Sequence, residues 1–228
     1  MEQGEILIKR AKEEGASLVS FGYVGDVVPP RYGEMTHAVS FAVHLSDRII
    51  DDITNGPTHM YFHHYRTVNR VIDDIEFKIG HEIEKKGYRY FPVAASQSLN
   101  LSDSYYEGFF SHKMAATRSG LGWVGKNGLL ITPEFGPRVR LGTVLTDWPL
   151  PVSEPVTTSG CFSCDLCVKA CPAVALSGKS WGVGMPRCEI VDAKACSDHM
   201  SKYYKYIGRG SVCGICIAAC PKGRIDKK

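Results

Sequence analysis

Cysteine is missing from the first 160 residues of this 228-residue chain; all nine lie between Cys161 and Cys220. A secreted disulfide scaffold spreads its cysteines through the fold and needs a leader. The start, Met1-Glu2-Gln3-Gly4-Glu5-Ile6-Leu7, lacks the apolar core of a signal peptide, and no twin arginine stands near it. No apolar run approaches the ~20 residues that a membrane helix requires. Charge of one sign is also scarce. The formal net charge is +3, which gives nucleic-acid binding no support. These absences predict a cytoplasmic chain with reduced thiols and no membrane segment. What is present is a hydrophobic content of 44%, enough for a real core. The length suits one medium domain with a small appendage.

The cysteines themselves are ordered. Cys161, Cys164, Cys167 and Cys171-Pro172 read C-x-x-C-x-x-C-x-x-x-C-P, the bacterial run for iron–sulfur clusters. Cys213, Cys216 and Cys220-Pro221 repeat its second half, and the position of the missing first ligand, 210, is glycine. In two-cluster ferredoxins the fourth cysteine of a run serves the other cluster. Cys161, Cys164, Cys167 and Cys220 would thus hold one 4Fe–4S cluster. Cys171, Cys213 and Cys216 would hold a second and want one more thiolate. Cys188 and Cys196, both in the 41 residues between Cys171 and Cys213, are the candidates, and spacing does not choose between them. Zinc also accepts paired C-x-x-C motifs, but the complete four-cysteine run favours iron. With eight thiolates and two oxidised cores the working charge falls to about −1.

Upstream, strands and helices alternate. A short helix is expected over residues 1–14, strands over 17–24, 37–44 and 88–93, and a long helix from about Thr67 to Lys86. That helix places Val68, Val71, Ile72, Ile75, Ile79 and Ile83 on one face and ends at Gly87. A second helix is expected over Tyr106–Arg118, with further strands at 129–132 and 141–146 joined by a turn around 133–137. Pro149 to Pro155 reads as a linker. The expected architecture is an α/β or α+β layered domain over residues 1–155, then a loop-rich domain over 156–228 held by its metal.

Two other segments carry chemistry. Gly120-Leu121-Gly122-Trp123-Val124-Gly125-Lys126-Asn127 satisfies G-x-G-x-x-G and nearly satisfies the P-loop pattern. Both motifs require strand, loop, helix; here a helix precedes and a strand follows, so a nucleotide site is not expected. What remains is a tight loop whose backbone can approach a large flat ligand. The second is His59-Met60-Tyr61-Phe62-His63-His64-Tyr65-Arg66, placed just before the long helix. Its residues either cap and pack the helix entrance or supply protons near neutral pH.

The stretch Ser119–Asn127, then Thr132-Pro133-Glu134-Phe135-Gly136, Leu145-Thr146-Asp147-Trp148-Pro149-Leu150 and the two cysteine runs together resemble the cobalamin-dependent epoxyqueuosine reductases and reductive dehalogenases. The resemblance covers roughly residues 60–225. It implies a nitroreductase-like α/β domain holding cobalamin, followed by a small ferredoxin-like domain with two 4Fe–4S clusters. Electrons from a redox partner such as ferredoxin or flavodoxin would pass through the clusters to cobalt. It implies Gly120, Leu121, Gly122, Trp123, Val124, Gly125 and Lys126 as cofactor-binding. It also implies Cys196, in Asp192-Ala193-Lys194-Ala195-Cys196, as the eighth cluster ligand, leaving Cys188 spare. The proton donor it calls for falls at Tyr65 or His64, where the family carries an acidic residue or a tyrosine. The substrate would be a small molecule or a modified nucleoside. Transfer RNA is not expected, since the chain stops eight residues after Cys220 without a helical-repeat tail. Two alternatives accompany the reductase: an electron-transfer protein that reduces a corrinoid partner and has no substrate of its own, and an FMN-binding iron–sulfur reductase, since the same scaffold holds flavin.

Overall fold

The computed structural model describes residues 4–97, 106–208 and 212–224. Helix α1 (Glu5–Glu13) buries Leu7 and Ala11. It leads into β1 (Leu18–Tyr23), which runs antiparallel to β2 (His37–His44) with Leu18 opposite Ala42 and Tyr23 opposite His37. Every residue of β2 between its two terminal histidines is buried, Ser40 with its apolar neighbours. Strand β3 (Tyr90–Val93) pairs antiparallel with β6 (Val139–Thr146), and the four-stranded order is β1-β2-β6-β3. Gly142 lies under Phe41: a Cβ there would stand 2.1 Å from the ring.

The long helix α3 runs His59–Glu84 and starts eight residues before the expected Thr67. The histidine–aromatic segment is its first two turns, not the approach to it. Pro57-Thr58 sets the start. The Thr58 hydroxyl accepts from the Tyr61 amide at 3.0 Å, and the Thr58 carbonyl accepts from Phe62 at 3.1 Å. Tyr61, Val68, Ile72, Ile75, Ile79 and Ile83 form its buried stripe. At the far end Gly87 takes φ +83° and its amide returns to Glu84, the expected stop.

Helix α4 (His112–Arg118) is shorter than expected, because Ser111 caps it by accepting from the Met114 amide. A hairpin follows that the sequence reading did not foresee as such: β4 (Trp123–Val124) against β5 (Leu130–Ile131). Three short helices carry cysteines: α5 (Leu166–Ala170), α6 (Ala193–Tyr203) and α7 (Ile215–Ala218). Among the described residues no helix is long and apolar enough to cross a membrane.

The chain forms two compact units that interleave in sequence. The first comprises residues 1–44, 68–122 and 140–156; the second comprises 45–67, 123–139 and 157–228. The first is the mixed α/β unit. Val24, Val28, Met35, Ala38, Val93, Phe110, Ala115 and Leu145 form a core in it. It also buries polar groups. The Glu76 carboxylate, 1% exposed, accepts from the Thr143 amide at 3.0 Å. Burial pushes Glu76 up to about 9, with Asp73 adding to the rise. His112 shares a hydrogen bond with the Thr143 hydroxyl at 2.9 Å, and loss of hydration pushes its ring down to about 4. Arg140 donates to Asn69 and to the Ala95 carbonyl.

Candidate metal centre

The second unit holds every cysteine. The first run is built on a tight turn. The Cys164 amide donates to the Cys161 carbonyl at 2.9 Å, with Phe162 between them at φ +43°. Cys167 lies in α5 and Cys171 ends it, its amide bonded to the Val168 carbonyl. In the second run Gly214 opens α7, Cys216 lies within it, and the Cys220 amide closes it onto Ile217. Helices α5 and α7 pack together. Cys196 lies in the first turn of α6, which Asp192 caps by accepting from the Ala195 amide at 2.9 Å. The Asp-Ala-x-x-Cys segment is therefore a helix cap that presents a thiol.

Thiol electrostatics sort the cysteines into two sets. Burial pushes Cys167 up to about 11, and the charges that add to the rise are Cys220, Cys161 and Cys164. Burial likewise raises Cys220, next to Cys161 and Cys164. Cys213 is pushed up to about 11 by burial, with Cys196 and Cys171 nearby. Burial raises Cys196 beside Cys171, and raises Cys216 beside Cys213, Cys196, Cys167 and Cys171. Cys161, Cys164, Cys167 and Cys220 form one neighbourhood; Cys171, Cys196, Cys213 and Cys216 form the other. Cys188 is exposed in a short turn and enters neither. Buried thiols that raise one another are poor thiolates alone; a cationic core supplies the missing charge and reverses the trend. Among the described residues no three His, Cys, Asp or Glu groups converge on a single ion.

The two upstream segments of this unit brace the cysteine loops. In the hairpin, the Trp123 ring covers Gly160, where a Cβ would meet the indole at 2.9 Å. Lys126 is 8% exposed and donates to the Phe162 carbonyl at 2.9 Å. Gly128 abuts Val191, and Gly136 and Phe135 lie against Lys222 and Gly223; a Cβ on Gly136 would stand 2.0 Å from the Lys222 carbonyl oxygen. The Gly125–Gly128 turn joins two strands, so the strand–loop–helix order of a P-loop or dinucleotide loop is absent here. The Trp123 indole N–H is buried and has no hydrogen-bond partner among the described residues.

The other segment, 45–67, meets the second run. Ile53 and Tyr61 close on Gly214, Phe62 on Gly208, and the Tyr204 hydroxyl donates to the Asn55 carbonyl at 3.4 Å. Tyr65 lies edge-on to Tyr61, with ring centroids 6.4 Å apart. His64 accepts the Ser46 amide at Nε2, 3.0 Å. Arg138, 1% exposed, holds helix α2 (Asp47–Asp51) through Asp47 at 2.7 Å and Asp51 at 2.8 Å. Sequence reasoning missed Arg138, Ser46 and Tyr204; only the four-residue spacing of Asp47 and Asp51 hinted at a shared partner.

This pairing of a mixed α/β unit with a cysteine-rich unit is the fold of known cobalamin-linked reductases. The chain matches the catabolic reductive dehalogenase NpRdhA with a TM-score of 0.74 at 20% identity, covering 97% of this chain and 32% of that one. It matches an epoxyqueuosine reductase bound to an epoxyqueuosine-modified tRNA-Tyr stem loop with a TM-score of 0.63 at 19% identity, covering 96% and 64%.

In sequence the chain is homologous to proteins named for both activities. It is 27% identical to the epoxyqueuosine reductase of Vibrio cholerae over 208 residues, 87% of this chain and 50% of that protein. It is 36% identical to the Listeria monocytogenes epoxyqueuosine reductase over 119 residues, 51% of this chain and 31% of that protein. It is 30% identical to the tetrachloroethene reductive dehalogenase of Dehalobacter restrictus over 164 residues, 67% and 27% respectively. The chain thus spans half or less of the length of these curated relatives. No family model matches it.

Proposed function

We propose that this protein is a cytoplasmic, cobalamin-dependent iron–sulfur oxidoreductase. Its nitroreductase-like α/β domain would bind the corrinoid, and residues 156–228 would form a ferredoxin-like domain with two 4Fe–4S clusters. The observation that carries the proposal is the sorting of eight cysteines into two neighbourhoods of four, with Cys188 in neither.

Cys161, Cys164, Cys167 and Cys220 would hold the first cluster, and Cys171, Cys196, Cys213 and Cys216 the second. Cys167 is near enough to raise Cys216, so electrons have a short path from one set to the other. The loop from Gly120 to Lys126 would approach the corrinoid with its backbone. Its unpaired indole N–H at Trp123 suits the amide groups on the rim of a corrin ring. Bound cobalt supplies a low-potential electron donor and nucleophile. Proton delivery would fall to Tyr65 or His64, the latter held by the Ser46 amide donating to its Nε2. A ferredoxin or flavodoxin would supply the electrons.

The relatives point to two substrate classes, a modified nucleoside in transfer RNA and a halogenated small molecule. Transfer RNA is open as a substrate, because a fold neighbour is bound to a tRNA stem loop.

The test is anaerobic reconstitution followed by titration with cobalamin and with FMN. Brown protein with about eight irons per chain and a base-off corrinoid spectrum is the expected result. Binding of FMN alone would indicate a flavoprotein, and binding of neither would indicate an electron-transfer module. A colourless zinc protein would overturn the proposal.

A further inference from the structure

We propose that Lys126 is a positioning residue for the first cluster. It holds the Cys161–Cys164 turn in its ligating shape and provides a buried positive charge that makes that cluster easier to reduce. The inference rests on the cluster reading of the preceding section.

Two independent observations meet at one hydrogen bond. The first is Lys126 itself. Lysine is almost never buried without a charged partner, yet this one is 8% exposed, and no carboxylate among the described residues pairs with it. Its hydrogen bond goes to a neutral acceptor, the Phe162 carbonyl at 2.9 Å, so the charge is left uncompensated by the protein. The second is Phe162. It holds φ +43°, a left-handed conformation unfavourable for a bulky residue, while the residue is 81% exposed and gains little burial. Phenylalanine packing does not explain the strain. What the strained turn achieves is to send the side chain out and leave the carbonyl on the ammonium, between two cysteines of the first set.

A four-thiolate cluster is anionic, and one-electron reduction adds a further negative charge. A buried ammonium bonded to the turn between two of its ligands satisfies both needs: it compensates the cluster, and it compensates the reduced state more. Nearby charge and hydrogen bonding are known levers on cluster potential. The hairpin explains how lysine is kept there. The Gly125–Gly128 turn is closed by its own hydrogen bond at 2.8 Å, with Trp123 packed on Gly160 on the near side and Gly128 on Val191 on the far side. The lysine therefore emerges from a braced turn.

The experiment is a potentiometric titration of the anaerobically reconstituted protein, followed by electron paramagnetic resonance, with iron content measured alongside. Three variants separate hydrogen bond from charge. Lys126→Gln keeps a donor and loses the charge; one of the two clusters should titrate at a more negative potential, by tenfold or more in its reduction equilibrium, about 59 mV for one electron, with iron content unchanged. Lys126→Met loses both and should show the same shift together with lower iron. Lys126→Arg should restore the wild-type potential. In a Cys196→Ser background, where only the first cluster is left, the Lys126→Gln shift should persist. Wild-type potentials for both clusters in Lys126→Gln and Lys126→Met would overturn the inference while leaving the cluster reading intact. Wild-type protein that assembles no clusters would overturn that reading first.

Discussion

The Ser46 backbone amide donates to Nε2 of His64 across 18 residues of sequence, at 3.0 Å. The amide cannot give up its proton role, so the histidine must keep that nitrogen as an acceptor. His64 is therefore tied to the entrance of α2. His64→Ala should leave the Ser46 amide without its acceptor and cost about 1–3 kcal/mol of stability. Tyr65→Phe removes only the hydroxyl and keeps the ring against Tyr61. If Tyr65 is the proton donor, turnover by the cobalamin-loaded protein falls about 100-fold or more in Tyr65→Phe. The measurement is chemical denaturation of both variants beside single-turnover rates. A Tyr65→Phe rate equal to wild type assigns the role to His64.

Cys196 and Cys188 are the sharpest pair for the cluster assignment. Cys196 is capped into place on α6 beside Cys171, whereas Cys188 is exposed and outside both sets. Cys196→Ser should lower iron from about eight to about four atoms per chain. Cys188→Ser should leave both iron and the visible spectrum unchanged. The opposite result would transfer the ligand role to Cys188.

Gly136 should couple the hairpin region to the second cysteine run. Its φ is +55°, and a Cβ would land 2.0 Å from the Lys222 carbonyl, two residues beyond Cys220. Backbone cannot yield as a flexible side chain does. Gly136→Ala should displace the Cys220 loop, cost about 1–3 kcal/mol, and lower the iron content through the first set. Gly142→Ala is the control. It clashes with Phe41 in the α/β unit at 2.1 Å, and should lower the melting temperature while leaving the iron-to-protein ratio of the folded fraction unchanged.

Glu76 and His112 predict a stability profile with a maximum. Glu76 goes from 4.5 in the unfolded chain to about 9 in the fold, so the folded state holds the extra proton between those values and stability falls as pH rises through them. His112 goes from 6.5 down to about 4, so the unfolded state holds the extra proton there and stability rises with pH over that window. The two oppose each other between pH 4.5 and 6.5 and leave a net decline above it. Glu76→Gln keeps the acceptor for Thr143 and removes the ionisable group. It should flatten the decline above pH 6.5 and gain about 1–3 kcal/mol at pH 8.5 relative to wild type. Melting curves at pH 5.5, 7 and 8.5 check it; a wild-type slope in Glu76→Gln would move the titration elsewhere.

Much of the fold was legible because its signals are local. The apolar face of α3, the mostly apolar run of β2 and the stop at Gly87 each depend on neighbours in sequence. The start of α3 was not, because aromatic and histidine side chains weaken the helical pattern and the deciding contact is a single cap from Thr58. The two cysteine runs declared themselves by spacing, but the proposed eighth ligand did not, since Cys196 lies in a helix between the runs. The glycine loop was read as a tight turn whose backbone can approach a large flat ligand. The burial of Lys126 and the packing of Trp123 on Gly160 depend on residues 36 and more positions downstream, which no local pattern encodes. Arg138 was invisible for the same reason: its two aspartates lie 87 and 91 residues away.

The interleaving of the two units bears on how this protein can be dismantled. Residues 157–228 carry every cysteine, yet Trp123 and Lys126 brace the start of that stretch, and Gly136, Ile53, Tyr61 and Phe62 brace its later part, from Gly208 to Gly223. A fragment cut after the linker would keep the full ligand set and lose the struts. It should behave as a thiol-rich peptide that scavenges iron, not as a transplantable electron carrier. The smallest portable piece of this electron path is a three-segment assembly, and the chain delivers its parts in an order that makes the cysteine stretch the last to be completed.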